Sequence, residues 1–239
     1  MHATTLLLTL LAAIPAGADT LADVRTALTN LRGMRPVTAR VEITRSRHSK
    51  GRFLNDDFQG SAVVQVQDDG TALRVTFPRE LVDPVQPAGT SNAVAELVPV
   101  SIENCVDFGR PLLRMLSGAR VTAERRETHG GRASQAIALS LLPGSDGPPG
   151  QFGTVTFRED RLTIWYGADH VPFAAQRVRK GSAGMLFLRV ETVRTETWSF
   201  AVDADHLVAT RFEDFSSVSG PGQSGEARSV WTVRDITAQ

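Results

Sequence analysis

Val37-Thr38-Ala39-Arg40-Val41-Glu42-Ile43-Thr44 decides the fold. Val37, Ala39, Val41 and Ile43 alternate with Thr38, Arg40, Glu42 and Thr44, which is the period of a strand with one face buried and one wet. The same alternation recurs downstream. Ala62, Val64 and Val66 share a face, Asp68-Asp69-Gly70 signals a hairpin, and Leu73, Val75 and Phe77 return with Arg74 and Thr76 opposite. Strands are expected again at 120–127 and at Ile137, Leu139 and Leu141, joined through His129-Gly130-Gly131. A further hairpin is expected to turn at Glu159-Asp160, and strands follow around Val178, Leu186 to Val190, Trp198 to Val202, Val208 to Phe212 and Val230 to Ile236. Asp203-Ala204-Asp205 reads as a turn and 216–225 as a flexible polar loop.

Two helices interrupt this pattern. Leu21, Val24, Leu28 and Leu31 fall on one helical face between Thr20 and Arg32, with Asp19 or Thr20 as cap and Gly33 as terminator. Arg110 to Ser117 gives a second, short helix, with Pro111 suited to its first turn and Gly118 to its end. Residues 83–101 hold Pro84, Pro87, Gly89 and Pro99 and read as a long loop or cover. The class is therefore α+β: a strongly curved antiparallel sheet, half-barrel-like, with an N-terminal helix and a short covering helix.

The first residues give an address. Leu6 to Ile14 is apolar, Pro15 breaks the run, and Ala16-Gly17-Ala18 fits signal-peptidase cleavage after Ala18. The run is shorter than the roughly 20 residues that span a bilayer. The expectation is a cleaved leader, 1–18, and a single β-rich domain, 19–239, with a hinge or long loop at 143–151. The location is then the periplasm or the cell exterior.

Charge and composition exclude some classes. Lys and Arg total 26, as do Asp and Glu, so the chain lacks the basic field of a nucleic-acid binder. Cys105 is the only cysteine, so no internal disulfide forms. Cys105 with His129 or His206 as base carries no nucleophile signature, and a buried apolar thiol accounts for it as well. His48, His129, His170 and His206 lack ligand spacing. Asp203, Asp205 and His206 could meet a cation but read better as a turn. Trp165, Tyr166, Trp198 and Trp231 could stack on sugars, or anchor the sheet. No catalytic residue, metal or cofactor is expected, and the chain reads as a non-enzyme.

Leu21 to Leu31, Gly60 to Pro78 (notably Leu73-Arg74-Val75-Thr76-Phe77-Pro78) and Arg110 to Gly118 together resemble the periplasmic outer-membrane lipoprotein carrier family and its lipid-carrying relatives. The chain departs from that family at Asp68-Asp69-Gly70, where an Arg-Pro pair often stands, and at 83–101, which replaces a hairpin. The resemblance implies a half-open barrel whose concave apolar cavity takes lipid or lipoprotein acyl chains without covalent chemistry. Each buried methylene would contribute about 0.8 kcal/mol. Its lining would comprise Val64, Val66, Leu73, Val75, Phe77, Leu112, Met115 and Leu116, although ordinary core packing explains the same residues. Arg74 matches a family arginine that would meet a polar head; alternation with Leu73 and Val75 also fits a solvated outer face. Implied partners are lipid, an acylated protein and an envelope protein. The competing reading is an exported β-rich module that binds protein or glycan and has no lipid cavity.

Overall fold

The computed structural model describes residues 17–31, 33–51, 55–69, 72–82, 87–142, 145–150, 153–185 and 188–238. Of the expected leader, only Gly17 and Ala18 fall among them, at the start of α1 (Gly17–Asn30). Then come β1 (Val37–Gly51), β2 (Asp56–Asp68), β3 (Leu73–Thr76), α2 (Arg79–Val82), α3 (Ala88–Glu96), α4 (Pro99–Val106) and α5 (Gly109–Leu116). The remainder is strand: β4 (Arg120–His129), β5 (Arg132–Ser140), β6 (Ser145–Gly150), β7 (Gly153–Tyr166), β8 (Pro172–Met185), β9 (Leu188–Asp203), β10 (His206–Gly220) and β11 (Gln223–Ala238).

All these strands join one curved, open antiparallel sheet, ordered β3-β2-β1-β11-β10-β9-β8-β7-β5-β4, with β6 paired to β7. The long-range pairing of β1 with β11 joins the N-terminal strands to the C-terminal meander. Helices cover one face. Under α1 and α5 lies a cluster of Leu21, Val24, Leu28, Leu112 and Leu116 against Ile137, Leu162, Ile164, Trp198 and Leu207. Under α3 and α4, Ala93, Leu97, Ile102 and Val106 pack on Val37, Val41, Ile43, Val64 and Val66. Phe212 touches both clusters.

Four expectations are corrected. Within 83–101, α3 and α4 form where a loop was expected (83–86 lie outside the described residues). The prolines misled, since Pro87 directly precedes α3 and Pro99 opens α4, both tolerated positions. β7 runs straight through Glu159-Asp160, because Asp160 is buried and ion-paired rather than turning in solvent. The loop expected over 216–225 shrinks to Pro221-Gly222, with Gly222 at φ +67°. Within 143–151, residues 145–150 form β6, while 143, 144 and 151 lie outside the described residues.

Helix α3 sits directly on β2. A Cβ on Gly60 would lie 1.9 Å from the carbonyl carbon of Gly89, and one on Gly89 would lie 1.9 Å from the Gln59 carbonyl oxygen. Backbone meets backbone here, and only glycine fits. Gly60→Ala should therefore destabilise the fold by about 1–3 kcal/mol in urea unfolding, the usual cost of overpacking. An unchanged midpoint would contradict this close approach.

Candidate functional site

A half-open cavity of about 410 Å³ lies where the helical cover ends. Cross-strand register builds its floor. Opposed residues of an antiparallel pair point to the same face, so Ala175, Trp198, Phe212, Trp231 and Ile43 form one row across β8, β9, β10, β11 and β1. Trp198 and Phe212 stack at 5.3 Å, with 7° between their planes. Phe108 closes over Trp198 at 5.2 Å, and Cys105, Pro111, Arg114 and Met115 complete the roof.

The next row on the same face changes character. Arg177, Glu196, Asp214, Ser229 and Arg45 are neighbours in register. Arg177 donates two hydrogen bonds to Asp160, at 2.8 and 2.6 Å, and Arg194 donates two to Asp214, at 2.8 and 2.7 Å. Arg179 reaches Glu196 at 3.1 Å, and Arg45 pairs with Glu96 of α3. Replacing buried ion pairs by apolar side chains is often neutral or stabilising, so stability alone does not account for this row. The cavity thus has an aromatic floor on one side and fixed charges on the other.

A clasp holds the cover over this floor. The Asp205 carboxylate accepts the amides of Met34 (2.9 Å) and Arg35 (3.3 Å), and the Asp205 carbonyl accepts that of Gly33 (2.9 Å). His206 is fully buried, with Nε2 2.7 Å from the Arg35 carbonyl. Phe108 N–H donates to the Leu207 carbonyl at 2.8 Å, fixing the α4–α5 junction to β10. Asp107, at that junction, lies beneath Gly33, where a Cβ would come within 2.5 Å of its carboxylate.

The sequence-derived candidates separate on this framework. Val64, Val66, Leu73, Val75 and Phe77 come together, but within the packed cluster under α3 and α4. Leu112 and Leu116 are fully buried under α1 and α5. Met115 alone of the eight borders the cavity. Arg74 is exposed on the opposite face, where its alternation with Leu73 and Val75 puts it. Cys105 lines the roof, and burial pushes its thiol up to about 12, far from the thiolate a nucleophile needs. His129 stacks on Trp165 at 4.0 Å, and His206 is held in the clasp. Asp203-Ala204-Asp205 is the expected turn, with Ala204 at φ +54°. Among the described residues no group of three or more His, Cys, Asp or Glu side chains could hold a metal ion.

Trp198, Phe212, Trp231 and the arginine row escaped the lining assignment. Arg194-Thr195-Glu196-Thr197-Trp198-Ser199-Phe200 alternates faithfully, but its inner positions mix charge with aromatics and give no apolar stripe. Parity counted back from Trp198 would have found Glu196 and Arg194.

No protein-family model and no curated protein matches the chain. Among solved structures, a DUF1329 family protein from Desulfovibrio piger aligns over 93% of this chain and 93% of its own, at 11% identity and a TM-score of 0.38. The Pseudomonas aeruginosa MucA/MucB complex aligns over 93% of this chain and 99% of that chain, at 11% identity and a TM-score of 0.20. Likenesses this remote carry no argument about function.

Burial raises the Asp107 pKa above the ordinary carboxylate range, outweighing the attraction of His206 and Arg110. A raised acid costs native stability when ionised; wild type recovers that cost as pH falls through the native pKa towards the unfolded value, about 3.9. Asp107→Asn should thus unfold at a higher temperature than wild type at pH 7, and the gap should close as pH approaches 4. A gap independent of pH would contradict the burial argument.

Proposed function

We propose that the protein is a periplasmic carrier or binder that takes lipid or lipoprotein acyl chains non-covalently into this cavity. The observation that carries the reading is the seam itself: an aromatic floor, open to solvent on one side, roofed by short helices and bordered by fixed charges. Its volume falls within the roughly 300–1,000 Å³ of small-ligand pockets. The order of elements supports the same reading, since helix, strands, helical cover and long antiparallel meander follow one another as in the lipoprotein carriers the sequence resembles.

Apolar transfer drives such binding. A chain laid on Trp198, Phe212 and Trp231 leaves water at about 25 cal/mol for each Å² buried. No bond is made or broken, so no catalytic group is required. Export by the leader would place the protein where acylated envelope proteins meet it. No helix among the described residues is long and apolar enough to cross a membrane.

The interaction-module reading is weaker on one observation. Trp165 and Tyr166 are buried away from the cavity, and Trp198 and Trp231 lie within it beneath the helical roof, so none of them stands on the outer surface as a flat platform for glycan.

Mass spectrometry of organic extracts from the purified protein, after incubation with envelope membranes, should recover a lipid or acylated peptide in stoichiometric amount. Ser229 borders the cavity on β11 and is half-buried. Ser229→Phe should fill the space, lower recovery several-fold and leave the melting temperature near wild type. Clean extracts from both proteins would favour the interaction module.

A further inference from the structure

We propose that Arg114 is an anion anchor, so that the cavity selects amphiphiles with a phosphate or carboxylate head; this rests on the acyl-chain reading above. The charges around the cavity carry the argument. Glu96 is paired with Arg45, Arg177 with Asp160, Arg194 with Asp214, and Glu196 with Arg179. Arg114 is different. Its guanidinium has no hydrogen bond or ion pair among the described residues, yet it borders the same cavity. Among the side chains that line the cavity, three arginines, Arg114, Arg177 and Arg194, meet three carboxylates, Glu96, Glu196 and Asp214, and of these six only Arg114 has no partner among the described residues.

Helix chemistry does not explain this arginine. A cation near a helix C-terminus is favourable, and Arg114 lies in the last turn of α5. However, Arg25 of α1 already donates to the Leu116 carbonyl at that end. Arg114 is free to turn its fork towards a ligand, and a guanidinium matches phosphate or carboxylate with two parallel hydrogen bonds. Beside it, Met115, Phe108 and the Trp198–Phe212 stack offer the apolar ground for a chain. A head at Arg114 and a tail on the aromatic row use both halves of the site. The paired arginines stay committed to their carboxylates.

Isothermal titration calorimetry tests this with three probes below their micellar concentrations: dodecyl phosphate, dodecyl maltoside and inorganic phosphate. Wild type should bind dodecyl phosphate about tenfold more tightly than dodecyl maltoside, a difference typical of one charge-assisted contact. Inorganic phosphate alone should bind far more weakly. Arg114→Gln should erase the preference for phosphate, lowering dodecyl phosphate affinity about tenfold more than dodecyl maltoside affinity, and Arg114→Lys should restore part of it. Equal affinities for the two amphiphiles in wild type, or a preference that survives Arg114→Gln, would overturn the anchor but leave the cavity reading standing. Inorganic phosphate binding as tightly as dodecyl phosphate would overturn it too, by revealing a site for the free anion. Failure of both amphiphiles to bind would defeat the cavity reading itself.

Discussion

The structure depends on a mismatch between one sheet face and the cover available for it. Strands of 14–16 residues, at about 3.3 Å per residue, extend roughly 50 Å. The helices that cover this face are shorter: α1 has 14 residues and reaches about 21 Å, while α3, α4 and α5 have eight or nine and reach about 12–14 Å each. An apolar face of that length cannot be buried by so little helix. The chain meets the constraint by changing composition part-way along each strand. Aliphatic and aromatic residues occupy the half beneath the helices, and paired arginines and carboxylates occupy the next rows.

The cavity is where those two halves meet, and its features follow from that position. Its floor is the last apolar row, so it is aromatic and wide. Its border is the first charged row, so the charges are fixed in direction by register and by bidentate pairing. Its roof is the end of the helical cover, formed by Cys105, Phe108, Pro111, Arg114 and Met115 of α4, α5 and the junction between them. The Phe108 amide ties that roof to β10, Asp205 and His206 tie the segment after α1 to the β9–β10 turn, and the Gly60–Gly89 contact seats α3 against β2. Between these attachments, α4 and α5 contribute short apolar faces, and Arg114 projects from the second of them.

Much of the architecture was legible in the sequence, because a sheet with one wet face writes itself in period two. The Val37 to Thr44 stretch, the Gly130-Gly131 turn and the helix of Leu21, Val24 and Leu28 all appear where the pattern puts them. Misreadings arose where local signals point away from tertiary context. Pro87 and Pro99 look like breakers but flank and open helices. Glu159-Asp160 looks like a turn, but Arg177 buries Asp160 in mid-strand. The site was harder to read. Val64, Val66 and Leu112 have the hydrophobicity of a cavity wall and equally that of a core, and depth beneath the cover decides between them. Arg177, Arg194 and Glu196 look solvent-facing in sequence, although parity with Trp198 places them inside.

The central claim is that an acyl chain rests on the aromatic row, and the tryptophans report it directly. Trp198 and Trp231 form the floor, whereas Trp165 packs with Phe173 and Ala174 on the other face of the sheet. A fatty acid brominated along its chain quenches only the tryptophans it touches. Titrating it into wild type, and into a variant with Trp198 and Trp231 both replaced by Phe, isolates the floor. The account predicts saturable quenching in wild type and a lasting, unquenched Trp165 signal in the variant. Quenching of equal extent in the variant, or none in wild type while the fatty acid co-purifies with the protein, would contradict it.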